Sequence, residues 1–159
     1  MYDFKDKTAV VTGGTGVLGG EMAAALVGLG ANVVIMSRKA KLSADLEARL
    51  KGGIGEYRSL SVDVLERKSI EAAVDQIEEE FGPIDILINC AGGNTPQAVS
   101  TKTNPFFDLP KEALGFVFNL NTLGTILPCQ VVGKSMAARG LGVILNISSM
   151  AAFSPLTNV

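Results

Sequence analysis

Residues 8–20 read TAVVTGGTGVLGG, an apolar run that breaks into a cluster of glycines. A strand that is apolar at every position, rather than at alternate ones, has both faces covered, as in a parallel sheet. From Val17 to Leu29 the spacing becomes helical, with Leu18, Met22, Leu26 and Leu29 along one stripe. The segment therefore reads strand, glycine turn, helix. Such a turn leaves backbone N–H groups free, and it sets the positive end of a helix beside a diphosphate. Two spacings share the turn: Gly14, Gly16 and Gly19 spell G-x-G-x-x-G, while Thr12, Gly13, Gly16 and Gly19 spell T-G-x-x-G-x-x-G.

The same alternation continues along the chain. NVVIMS (32–37) is a second buried strand, KLSADLEARL (41–50) a helix, and YRSLSVDV (57–64) a third strand. Ile70, Val74, Ile77 and Phe81 mark an amphipathic helix, which Gly82 and Pro83 stop. IDILIN (84–89) is a fourth strand and GVILNISS (142–149) a fifth, joined by a loop over 93–109 and helical material to Arg139. Strands and helices in strict alternation predict a single α/β domain over 1–159. It is a Rossmann-type, doubly wound parallel sheet with helices on both faces. A loop as long as 93–109 predicts a functional lid or a disordered segment.

Composition narrows the function. The chain has 159 residues, 47% hydrophobic and 19% charged, with a formal net charge of −2. It has no basic surplus for nucleic acid, no signal-peptide start, and no apolar run long enough to span a bilayer. A cytoplasmic location is expected, with Cys90 and Cys129 reduced and packed as small apolar residues rather than acting as reactive thiols. Histidine is absent. No metal site is expected, and acid–base work falls to Tyr, Lys, Cys or a carboxylate.

With these motifs in place, the chain resembles the short-chain dehydrogenase/reductase superfamily. The glycine loop fits the spacing of the extended branch, because Val17 stands where the compact branch has its second glycine. NCAGG (89–93) resembles the compact branch's N-N-A-G, with Cys90 in place of the second Asn, and tips the choice to that branch. The resemblance assigns the diphosphate to Gly13, Thr15, Gly16, Val17, Leu18 and Gly19, with Val17 beginning the helix packed inward. Ser37 stands where NAD-preferring relatives have Asp, and Arg38 follows it. A guanidinium with no carboxylate beside it favours NADP, with NAD the alternative; Arg38 could equally be a solvated surface residue. Asp63, with Val64, resembles the adenine-contacting motif, and a role at a helix N-terminus competes for Asp63. Asn89 would hold the central sheet, and Ala91 and Gly92 would let the ribose approach.

The resemblance also supplies candidate chemistry. FNLNTLG (118–124) matches the segment with the catalytic-site Asn, aligned to Asn121, with Asn119 as the neighbouring alternative. NISSM (146–150) matches the catalytic serine, Ser149, whose hydroxyl would bond the substrate oxygen. Family chemistry further needs Tyr-x-x-x-Lys. The only tyrosines are Tyr2 and Tyr57, and neither has a lysine four residues on. The family spacing puts the motif beyond Val159. These 159 residues are therefore expected to be the N-terminal part of a longer enzyme, lacking the last strands, with a raw apolar sheet edge and no steady-state activity alone.

INCAGGNTPQA, the long loop, FVFNLNTLGTILPCQVVGKSMAARG and ISSMAAFSPLT further resemble D-mannonate oxidoreductase (fructuronate reductase)-like members. That resemblance implies a small-molecule keto or hydroxy sugar acid as substrate, with Asn94, Thr95, Gln97 and Lys102 facing it or solvated. It also implies a homodimer or homotetramer through 123–139, with Ile126, Val131 and Met136 on that face or on the sheet. A non-catalytic dinucleotide-binding module, a 3-oxoacyl- or gluconate-type reductase and an extended-branch epimerase are the alternatives.

Overall fold

The structure is a computed structural model describing residues 3–154; Tyr2 and the end of ISSMAAFSPLT lie outside them. Five parallel strands form one sheet: β1 (Thr8–Thr12), β2 (Asn32–Ser37), β3 (Tyr57–Ser61), β4 (Ile86–Asn89) and β5 (Val143–Asn146). Their order is β3-β2-β1-β4-β5. The order reverses between β1 and β4, and an open parallel sheet binds its ligands at that point, beyond the strands' carboxyl ends. Strands β1 and β2 are buried along almost their whole length, as their unbroken apolar runs require.

Helices cover both faces. On one side α1 (Val17–Gly28) and α2 (Ala44–Lys51) enclose Val11, Val33 and Ile35 with Ala23, Val27, Leu46 and Leu50. On the other, α3 (Arg67–Phe81) and α5 (Gly124–Arg139) enclose Val10, Val34 and Leu87 with Ile70, Ile77, Val132 and Met136. The expected stripe on α3 is present, and Gly82, at φ 78°, ends that helix.

Helix α1 departs from its expected face. Its buried residues are Gly19, Gly20, Ala23 and Val27, while Leu18 is 60% exposed. Small residues decide this because the helix lies against the turn: a Cβ on Gly19 would stand 2.7 Å from the Gly13 carbonyl oxygen. Met22 and Leu26 flank the contact and pack only partly. Helix α2 starts later than expected, at Ala44. Ser43 caps it by accepting the Leu46 N–H at 3.2 Å, and Asp45 and Glu47 complement its first turn.

The loop over 93–109 is ordered rather than a disordered segment. It holds two 3₁₀ turns, Pro96–Ala98 and Phe106–Asp108. Asn104 ties it together by donating to the Gln97 and Val99 carbonyls at 3.2 and 2.9 Å. Beyond it, α4 (Lys111–Phe118), a π-helical turn (Asn119–Leu123) and α5 run as one helix. This stretch of 29 residues is long and apolar enough to cross a membrane, contrary to the sequence expectation. Here Gly124, Pro128, Val132 and Met136, four residues apart, form the buried stripe of a core helix. Met136 therefore faces the sheet, Val131 packs partly against it, and Ile126 stays 43% exposed.

Strand β5 is one of the two edge strands, opposite β3. Val143, Ile144 and Leu145 are 62%, 38% and 48% exposed, so the expected apolar edge is present among the described residues.

A candidate ligand cleft at the switch point

A cleft of about 690 Å³ opens at the carboxyl ends of β1, β2, β3 and β4. It is lined by Gly13, Thr15 and Gly16 from the glycine turn and by Met36, Ser37, Arg38 and Lys39 after β2. Val62, Asp63 and Val64 after β3, Ala91 and Gly92 after β4, and Leu120 complete it. Nine of the sequence-assigned residues thus meet on one surface. Of the others, Gly19 is buried behind the turn, and Asn89 lies inside the sheet at 2% exposure. Val17 and Leu18 are outside the cleft wall, and Val17 is 84% exposed rather than packed inward. It opens the helix at the rim, where no strand reaches it.

The turn itself answers the question of spacing. Gly13 sits at φ +67°, and a Cβ there would lie 2.8 Å from the Ala91 backbone. A Cβ on Gly14 would stand 2.9 Å from the Ile35 side chain, so the packing against β2 favours glycine there. Gly16 differs: its Cβ would meet only the Gly13 carbonyl, at 3.3 Å, and otherwise faces open space. Packing makes little demand for glycine there, whereas the approach of a ligand would. Gly16 is also the N-cap of α1, with no side chain to cap the helix and no acid in its first turn. The first N–H groups of an α-helix have no partner within it. Here they are left for an anion, and a diphosphate fits them. Because Val17 lies off the cleft wall, Val17→Gly should leave dinucleotide affinity nearly unchanged in a cofactor fluorescence titration.

Thr12 was not assigned a role from sequence, yet it holds the switch point. Its buried hydroxyl accepts the backbone N–H groups of both Cys90 and Ala91 at 3.1 Å. The Gly13 N–H donates across to the Met36 carbonyl at 2.7 Å. The glycine turn is thereby fastened to β2 and β4 together. Burial raises the pKa of the Cys90 thiol, which keeps it protonated and unreactive near neutral pH.

At the adenosine end, Ser37 Oγ accepts from Thr15 Oγ1 at 3.0 Å and from the Thr15 N–H at 3.4 Å. The Ser37 proton stays free to donate into the cleft. Among the described residues no carboxylate forms an ion pair with Arg38 or Lys39. Asp63 shares the cleft, and its Oδ1 accepts the Leu65 N–H at 2.9 Å. That bond holds the turn before α3, whose N-cap is Glu66, so Asp63 does not cap the helix as its alternative role foresaw. Asn89 Nδ2 donates to Asn146 Oδ1 at 2.9 Å and to Cys129 Sγ at 3.1 Å, tying β4 to β5 and α5.

Asn121 lies in the π-helical turn with its amide fully used. Its Oδ1 accepts the Gly93 N–H at 3.0 Å, and its Nδ2 donates to the carbonyls of Gly93 and Val117 at 2.7 and 2.8 Å. The side chain positions the start of the loop after β4 and has no proton left for a substrate. Ser149, at the carboxyl end of β5, accepts the Ala151 N–H at 3.2 Å, so its own hydroxyl hydrogen is free.

The short chain dehydrogenase profile matches residues 7–159. The chain belongs to the short-chain dehydrogenase family. An uncharacterized oxidoreductase of Haemophilus influenzae is 37% identical over 99% of this chain and 59% of its own length. A D-threitol dehydrogenase of Mycolicibacterium smegmatis is 35% identical over 95% of the chain and 56% of its own length. The crystal structure of a proposed D-mannonate oxidoreductase from Haemophilus influenzae, with bound NAD, superposes with a TM-score of 0.90 at 37% identity. That match covers 99% of this chain and 60% of the other. The chain thus spans a little under two thirds of these short-chain dehydrogenase relatives.

Proposed function

We propose that the chain binds NADP and serves an oxidoreductase that interconverts a ketone and a secondary alcohol on a sugar acid such as D-fructuronate or D-mannonate. The observation that carries this reading is the cleft at the β1/β4 switch point, with a helix start lacking a side-chain cap at one end and, at the other, Arg38 and Lys39, which form no ion pair among the described residues. The bound cofactor supplies or accepts the hydride. The α1 terminus and the glycine turn bind the diphosphate, and Arg38 with Ser37 holds a 2′-phosphate. Ser149 donates its hydroxyl hydrogen to the substrate oxygen as charge develops there. Asn121 holds Gly93 in place and thereby fixes the floor beneath the reacting carbon. The sugar acid is suggested by the proposed D-mannonate oxidoreductase, while the D-threitol dehydrogenase supports a polyhydroxylated substrate more generally.

The reading includes a cytoplasmic enzyme that works as a homodimer or homotetramer. It also includes no turnover by the 159 residues alone, which hold no Tyr-x-x-x-Lys. The same absence supports a second reading, a dinucleotide-binding module without catalysis. NADPH oxidation assayed with D-fructuronate and 5-ketogluconate, on a protein that carries the Tyr-x-x-x-Lys segment, separates the two. Turnover supports the enzyme; turnover of acyl or steroid ketones alone rejects the sugar acid.

Selectivity has its own test. A hydrogen bond to a charged group contributes about 1.5–3 kcal/mol, roughly one to two decades of binding. Arg38→Asp should reverse the NADP/NAD preference by that order, read as a ratio of dissociation constants. An unchanged ratio removes NADP from the reading.

A further inference from the structure

A second cavity, of about 580 Å³, lies between the 93–109 loop and α4. It is separate from the dinucleotide cleft. Gly92 and Leu120 line the cleft, Asn94 and Val117 line the cavity, and the bonded pair Gly93–Asn121 stands between them. Its walls are held in place. Asn104 fastens the loop to itself, and Asn121 fastens the start of the loop to the helix. Small-molecule sites commonly enclose about 300–1,000 Å³, with a mostly apolar lining and a few convergent polar groups. This cavity fits that description.

The lining decides what chemistry it accepts. Phe106, Leu114, Val117 and Phe118 supply apolar walls, and no lining residue is charged. Phe106 and Phe118 are each 71% exposed, leaving aromatic surface open at the mouth. Two polar side chains face this space, Asn94 and Ser100. Asn94 Oδ1 accepts the Thr95 N–H at 2.8 Å, and among the described residues its Nδ2 and the Ser100 hydroxyl have no partner. Both can donate to a ligand oxygen. A carboxylate would lose its hydration here without meeting a cation, which strongly disfavours it. We propose that this cavity is a binding site for an uncharged, largely hydrocarbon molecule or moiety bearing one hydroxyl or carbonyl oxygen, held by Asn94 and Ser100. The site is independent of the dinucleotide reading and does not suit the carboxylate of a sugar acid.

The test is a two-dimensional amide NMR titration of the ¹⁵N-labelled chain with benzyl alcohol and, separately, with benzoate, a probe of similar size that carries a charge. Saturable shifts are expected at the Asn94 side-chain amide, Ser100 and Val117, with benzoate at least tenfold weaker. Leu114→Trp should fill the cavity and abolish the shifts while the resonances of β1 and β4 stay in place. Should that variant lose its native spectrum, Ser100→Ala serves instead, with benzyl alcohol binding weakened several-fold. Equal binding of the two probes overturns the proposal. So do non-saturating shifts spread over Phe107 and Ile126, or affinity unchanged in the folded variants.

Discussion

Thr12→Val should destabilise the protein by about 2–4 kcal/mol and weaken dinucleotide binding at the same time. Valine keeps the shape and β-branching of threonine, so the packing of β1 is preserved. What disappears is the one hydroxyl that accepts from both Cys90 and Ala91. Each half-buried N–H left without an acceptor costs about 1–3 kcal/mol. For a chain of this size that corresponds to a melting temperature lower by roughly 5–15 °C. The loosened Ala91 backbone also forms the wall against which Gly13 packs, so the cleft widens where the ligand is held. Thr12→Ser keeps the acceptor and should recover most of both losses. Thermal unfolding and a cofactor titration, run on both variants, check this. A loss in serine with little or none in valine would show that the methyl group, not the hydroxyl, is what matters.

Gly13→Ala is expected to be comparably damaging for a different reason. At φ +67° an L-residue costs about 1–2 kcal/mol before any contact is counted. The new Cβ would then press on the Ala91 N and Cα at 2.8 Å and on the Cys90 carbonyl oxygen at 2.9 Å. These are backbone atoms just past the end of β4, with no rotamer to turn away. Relief must come from moving the turn away from β4, and the turn carries the anion-binding N–H groups. The expected result is a loss of dinucleotide affinity on the order of a hundredfold or more, since a loss of about 2.7 kcal/mol is two decades. Gly16→Ala is the contrast. Its Cβ would meet a single atom, the Gly13 carbonyl oxygen at 3.3 Å, so stability should fall far less than for Gly13→Ala while affinity falls.

The sheet was legible because its strands are apolar without interruption and the segments between them change to helical spacing. Helix α1 was misread for a physical reason. Its closest contacts are made by Gly19, Gly20 and Ala23, which carry little hydrophobic signal, while the large Leu18 points outward. Close approach is marked by what is small, and a search for large apolar residues overlooks it. Thr12 was invisible as a functional residue because its two donors lie 78 and 79 residues away in the chain. Asn121 was found by position, but only the geometry shows its amide spent on Gly93 and Val117. The order in the 93–109 loop comes from Asn104 bonding to carbonyls, which no residue pattern advertises.

The bare start of α1 ties the protein's persistence to its ligand. Helix α2 carries its own cap in Ser43, whereas α1 has no side-chain cap, so an anion bound there would complete its first turn. By mass action, a ligand present at a hundred times its dissociation constant adds about 2.7 kcal/mol to the folded state. The resistance of the protein to unfolding would then rise and fall with the supply of dinucleotide. A cell depleted of that dinucleotide would hold less of the protein, with no change in its synthesis.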